Sequence, residues 1–246
     1  MNSPKSVEDT QSLARKVSER LSDVLKSIPT ISDLTIQPTS KGQVADLLVQ
    51  ARVTGQPWQI AVQVTKTGQP RIVRNAIALW EQWCRKNNFE NSYFVIAAPF
   101  IGQKSQQICK DAGVGFVDLA GNCLLTSGNI FIERIGHTTE PEKRLLRSLF
   151  YAKSSRVIRR LLTDPNHLWH VHELATMADV STGLVSQIKT KLIDSELARR
   201  HGDMFVISNP EELLKRWAVA YQFDKHKQGQ FYSSKSLSEL EQLISE

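Results

Sequence analysis

Residues 172–192, HELATMADVSTGLVSQIKTKL, decide the architecture of the second half of the chain. Apolar or small residues fall at Leu174, Ala175, Ala178, Val180, Val185 and Ile188. The stretch divides into a short helix, a turn at Ala178-Asp179-Val180, and a second helix capped by Ser181. Two steeply crossing helices need this pattern: a small residue where they touch (Ala175), a turn residue, and two knobs from the second helix. The turn position favours a positive φ, and Asp179 tolerates that region better than most residues. Unrolled at about 100° per residue, Val185, Ile188 and Leu192 of the second helix gather within roughly 60°. The opposite side presents Gly183, Gln187 and Thr190, flanked by Ser186 and Lys191, with Ser181 and Thr182 at its start and no carboxylate before Asp194. Small, hydroxyl and amide side chains of this kind can approach base edges, and a glutamine can pair bidentately with adenine.

Working outward, residues 196–207 read as two short strands around a Gly-containing turn, with Arg199, Arg200 and His201 near the tip. The sequence thus predicts a winged helix-turn-helix whose wing contacts phosphate or a minor groove. Upstream lies a run with no acidic residue: Lys143, Arg144, Arg147, Lys153, Arg156, Arg159 and Arg160. Arg156, Arg159 and Arg160 are expected on a helix lying along a DNA backbone. Downstream of Pro210, residues 211–223 read as a helix with Leu213, Leu214, Trp217 and Tyr221 on one stripe, suited to packing on the winged helix or to a homodimer contact.

The first half has a different rhythm. Residues 6–28 carry Leu13, Val17, Leu21, Val24, Leu25 and Ile28 at helical steps, with Ser6 as the expected N-cap, Glu8 and Asp9 in the first turn, and Pro29 as a stop. Residues 44–53 and 58–65 are β-type runs joined by Thr54-Gly55-Gln56-Pro57. Residues 71–86 read as a helix with Ile72, Ile77, Leu79, Trp80 and Trp83 inward, followed by strand 93–98, helix 102–112, strand 114–118 and strands at 124–126 and 130–133. The result is an α/β class with a mixed sheet. The polar segment 136–141 places a domain boundary at 140/141, giving units 1–140 and 141–225, with 226–246 as a tail or the start of a further domain.

The order helix, hairpin, helix, strand matches the core of the PD-(D/E)XK restriction-endonuclease-like fold: a mixed sheet with flanking helices. Enzymes of that fold set an Asp on one strand and a Glu and a Lys two residues apart on the next. The carboxylates hold Mg²⁺ and the lysine serves the water and phosphate. Asp46 fits the first position, whereas Gln63 and Thr65 occupy the next two and Lys66 falls one residue late. The expected outcome is a catalytically inactive module needing no cofactor. The alternative is a Mg²⁺-dependent endonuclease using Asp46, Gln63 and Lys66, and a third reading is a protein-interaction adaptor.

Four strings carry a family resemblance: TGQPRIVRNAI (67–77), PFIGQKSQQICKDAGVGFVDLAGNCLL (99–125), RSLFYAKSSRVIRRLLTDP (147–165) and HELATMADVSTGLVSQIK (172–189). Over about residues 40–225 the chain resembles a bacterial family joining a restriction-endonuclease-like domain to a winged helix, whose members are labelled type IV toxin–antitoxin (AbiEi-like) antitoxins or transcriptional regulators. The resemblance implies a regulator that binds duplex DNA, with a cognate toxin as a partner if it is an antitoxin.

Composition agrees with a globular cytoplasmic protein of one to two domains. The 246 residues are 41% apolar and 23% charged, outside the ranges of disordered and fibrous chains. Lys+Arg exceed Asp+Glu by 31 − 25, a net charge of +6 that favours polyanionic partners. No apolar run approaches the ~20 residues of a membrane span, and the start lacks the apolar stretch of a signal peptide. Cys84, Cys109 and Cys123 lack both disulfide pairing and zinc-ligand spacing and are expected to be reduced and buried. No metal site is expected, His170 and His172 included. There is no phosphate-cradling or nucleophile motif, and Gly113-Val114-Gly115 reads as a helix-to-strand turn.

Overall fold

The computed structural model describes residues 4–40, 43–87, 93–127, 130–136 and 149–220, with 232, 234–236 and 239. Lys143, Arg144, Arg147, the expected 140/141 boundary and residues 221–223 lie outside the described residues, as does most of 226–246. The chain is mixed α/β. Its first part runs α1 (Pro4–Lys26), β1 (Ile31–Pro38), β2 (Leu47–Val53), β3 (Gln56–Val64), α2 (Pro70–Asn87), β4 (Tyr93–Ala98), α3 (Gln103–Asp111), β5 (Gly115–Asp118), β6 (Cys123–Ser127) and β7 (Ile130–Arg134). The second part runs α4 (Ala152–Thr163), α5 (Val171–Ala178), α6 (Thr182–Asp194), β8 (Ala198–His201), β9 (Met204–Ile207) and α7 (Pro210–Ala220).

The seven strands β1–β7 form one sheet in sequence order. Outer pairs are antiparallel, while β3/β4 and β4/β5 are parallel and are joined through α2 and α3. Side chains alternate across a strand, so Ile60, Val62 and Val64 of β3 meet Val17, Leu21, Val24 and Leu25 of α1 on one face. Ala61, Phe94 and Ile96 meet Val73 and Ala76 of α2 and Ile108 of α3 on the other. Strands β4 and β5 are covered on both faces and are buried almost throughout, as central parallel strands are.

Several expectations are corrected. α1 begins at Pro4, so Ser6 is inside the helix and no acidic residue sits in its first turn; proline suits an opening turn because its missing N–H would be unpaired there. The runs 44–53 and 58–65 shift to Leu47–Val53 and Gln56–Val64, with Asp46 just ahead of its strand. Leu79 is 43% exposed instead of inward, and Trp80 and Trp83 are half-buried: Trp80 stacks on Phe94 at 4.6 Å and on Trp83 at 5.4 Å. Cys109 and Cys123 are buried, but Cys84 is only half-buried; burial pushes the Cys109 thiol up to about 12. Gly113, at φ 65°, does turn α3 into β5. Among the described residues no helix is long and apolar enough to cross a membrane.

The second part has its own core. Val157, Ile158 and Leu161 of α4, Leu174 and Ala175 of α5, and Val185, Ile188 and Leu192 of α6 are buried together. Phe205 and Ile207 of β9 and Leu213 of α7 close it, with Trp217 packed against it. Trp169 exchanges both backbone hydrogen bonds with Phe205, at 2.8 and 3.1 Å, which fastens the β8/β9 ribbon to the entrance of α5. Leu214, expected on the inward stripe of α7, is 53% exposed.

Candidate nucleic-acid interface

Local chemistry fixes how α5 meets α6. Asp179 adopts φ 52° and ψ 57° at the end of α5, the left-handed conformation that a short polar side chain tolerates. Val180 N then donates to Ala175 O at 3.0 Å. The next residue, Ser181, caps α6: its Oγ accepts from Leu184 N at 3.3 Å, satisfying one of the unpaired N–H groups of the first turn. At the other end of α5, the Glu173 carboxylate reaches back to His170 N and bonds His167 Nε2 at 2.9 Å. The His167 bond holds the Glu173 carboxyl below the usual carboxylate range.

With Val185, Ile188 and Leu192 buried, α6 presents Ser181, Thr182, Gly183, Ser186, Gln187 and Thr190 to solvent. Thr190 Oγ1 donates to Ser186 O at 3.0 Å. Lys191 is half-buried and, with Gln187, borders an open groove whose other side is Tyr151, Lys153 and Ser154 at the start of α4. Among the described residues of the basic run, Lys153 is thus the cation that lines this groove, a placement that needs the α4/α6 packing and is not visible in the local sequence. Arg159 and Arg160 are exposed farther along α4, outside the groove. Arg156, expected along a DNA backbone, is instead paired: its Nη1 lies 2.9 Å from Asp179 Oδ2. An exposed pair of this kind contributes only ~0.2–1 kcal/mol, so a phosphate could compete for the guanidinium.

Arg199, Arg200 and His201 are exposed on β8, opposite Val206, Phe205 and Met204. Adjacent strand residues point to opposite faces, so Arg199 shares a face with His201, and Arg200 shares one with the buried Phe205. The tip turns at Gly202, φ 60°. Lys189, absent from the expected set, donates from Nζ to Asp203 O at 2.9 Å and lies 5.4 Å from the Phe205 ring centroid. It ties α6 to the ribbon tip.

The second candidate site lies in the sheet. Asp46 N donates to Val62 O at 2.8 Å, although Val62 is the register partner of Leu47, so Asp46 lies one residue out of step at the open end of the β2/β3 pair. Its Oδ2 accepts from Val64 N at 2.7 Å. Burial pushes the Asp46 carboxyl above its ordinary value, against the lowering effect of that bond. Gln63 Oε1 is buried without a hydrogen-bond partner. Thr65 is buried, its Oγ1 donating toward Thr67 O and Ala97 O, and Lys66 is exposed beyond the strand. A single, half-buried carboxylate beside an amide and an occupied hydroxyl is a weak magnesium site, since Mg²⁺ is held octahedrally by one or two carboxylates with water and phosphate in the other positions. Among the described residues no group of three or more His, Cys, Asp or Glu is placed to hold a metal ion.

A third cluster, which no local pattern of residues foreshadows, lies between these two. The starts of α2 and α3 reach the end of α6: Arg71 bonds Asp194, and Arg74 and Lys104 bond Glu196. Gly68 lets the chain ahead of α2 lie against the residues ahead of α3, since a Cβ there would meet Phe100 O at 2.2 Å. Asp118, fully buried, fixes the other side by accepting from Ile101 N at 3.0 Å, Gly121 N at 2.9 Å and Asn122 N at 2.8 Å. The VDLAGN string is therefore a structural knot of buried bonds. Comparison with protein-family models, curated proteins and solved structures finds no match to this chain.

Proposed function

We propose that this chain is a sequence-specific double-stranded DNA-binding protein of the cytoplasm, a transcriptional regulator or antitoxin-type autorepressor. On this reading α4–α7 and the β8/β9 ribbon are a winged helix-turn-helix, and the sheet of the first part is a restriction-endonuclease-like module that no longer cuts. The observation that carries the reading is the exposed face of α6, from Ser181 to Thr190, which bears hydroxyl and amide side chains and no carboxylate, beside a ribbon bearing Arg199, Arg200 and His201. Such a face suits base edges in a major groove, and such a ribbon suits phosphates. The partners are duplex DNA and, for an antitoxin, a cognate toxin.

Gln187 tests the base-reading role. It is exposed one step away from the buried Ile188, so Gln187→Ala should fold normally and relax preference at one base pair, at about 1–3 kcal/mol. Selection of bound sequences from a random pool checks this. An unchanged preferred site would remove Gln187 from base reading.

The inactive-module claim has its own assay. Asp46 supplies the single carboxylate among Asp46, Gln63 and Thr65, and metal-assisted phosphodiester hydrolysis needs the ion fixed firmly beside the scissile phosphate. No cleavage of plasmid, linear or branched DNA is expected with Mg²⁺ or Mn²⁺. Metal-dependent cutting that vanishes in Asp46→Ala would establish the endonuclease reading in its place.

A further inference from the structure

The turn that ends α6 uses a residue its backbone does not favour. Glu196 sits at φ 58°, in the left-handed region where glycine is the usual helix terminator. Glu196 N donates to Ile193 O at 3.0 Å and Leu197 N to Leu192 O at 2.8 Å, the bond pair that closes a helix around a left-handed residue. Glycine would make this turn without a Cβ penalty, so local structure gives no reason for glutamate. The side chain supplies one. Its Oε1 accepts from Arg74 Nε at 2.8 Å and its Oε2 from Lys104 Nζ at 2.9 Å. Asp194 Oδ1 accepts from Arg71 Nε at 2.8 Å, and Ser195 Oγ donates to Gln69 Oε1 at 3.2 Å. Three successive residues of the turn thus bond the amino-terminal ends of α2 and α3, ends that Gly68 and Asp118 hold in place from within the first part.

We infer that Asp194–Ser195–Glu196 is an electrostatic clasp that locks α6 to the starts of α2 and α3, and that ionic strength opens it and frees the second part to move as a unit. The cations are half exposed, with Arg71, Arg74 and Lys104 side chains at 54%, 58% and 44%, while Asp194 and Glu196 are at 21% and 26%. An open cleft lined by Arg71, Glu196, Arg199 and Arg200 runs beside the clasp and admits ions. Because the carboxylates are partly buried they resist screening, so opening is expected only when the Debye length falls to about 3 Å, at about 1 M salt. Because α6 is one continuous helix, its exposed face keeps a fixed angle to the sheet only while the clasp is closed. This inference stands whether or not that face binds DNA.

The test is small-angle X-ray scattering of the full chain at about 50 mM and about 1 M salt, with melting temperature as a companion measurement. Wild type is expected to be compact at low salt and expanded at high salt. Glu196→Gly should be expanded at both, with a melting temperature equal to or above wild type because the left-handed position is relieved. Arg74→Glu, an exposed change on α2, should also expand the molecule at low salt and carries the test if Glu196→Gly does not fold. The exchange of Arg74→Glu and Lys104→Glu with Glu196→Arg, which reverses every charge that Glu196 meets, should restore low-salt compactness. Low-salt radii of gyration unchanged in both single variants would overturn the clasp. So would expansion that the exchange fails to reverse, since loss of pairing would then not be its cause.

Discussion

Replacing Arg199 and Arg200 together by alanine is expected to weaken binding to every duplex by roughly eightfold at about 0.1 M salt, and to lower the salt slope by about 1. A slope near 0.9 per neutralised phosphate makes each contact worth about eightfold at 0.1 M relative to 1 M. Both arginines are exposed on β8, so the fold should survive their loss. They project from opposite ribbon faces, Arg200 on the face of Phe205, so the single variants should be unequal, and comparing them identifies the face that meets the backbone. Electrophoretic or anisotropy titrations of specific and random duplexes provide the measurement. A double variant that binds like wild type would exclude the ribbon from the interface.

Phe205→Ala should be the most destabilising single change in the second part. Phe205 is 0% exposed, joins the core of α4, α5 and α6, and pairs through its backbone with Trp169. Truncating a buried phenylalanine costs about 3–5 kcal/mol through lost transfer energy and the cavity left behind, a large share of the ~5–15 kcal/mol of a typical domain. Urea denaturation should show that loss, with duplex binding falling in parallel because the ribbon and α6 share this core. Phe131, 67% exposed on the edge strand β7, is the control: Phe131→Ala should shift stability by less than about 0.5 kcal/mol. Equal effects of the two changes would contradict the described core.

What could be seen in the sequence was what local chemistry dictates. The left-handed turn at Asp179, the Ser181 cap and the inward stripe Val185–Ile188–Leu192 each depend on residues within one or two helical turns, and the structure places all three as expected. Strand alternation put Gln63 and Thr65 on one face, but β3 ends at Val64 and Thr65 lies beyond it. Strand β1 was harder to see, because Asp33 at φ 51° and a register shift between Ser32 and Thr35 break its period-two pattern. Leu79 and Leu214 satisfy helical spacing yet face solvent, since periodicity shows that a stripe exists and not how wide the covering surface is. Least legible were the long-range partners. Arg156 is held by Asp179 and Arg71 by Asp194, the latter 123 residues apart, and nothing in either local sequence points to its mate.

The most direct measurement of the central claim is an anisotropy titration of wild-type protein against a fluorescent duplex between about 50 and 300 mM salt. If α6 and the ribbon bind DNA while neutralising phosphates, log K falls linearly with log salt, with a slope of several. A binding constant that does not change with salt, or no detectable binding at about 50 mM where counterion release is strongest, would contradict the account.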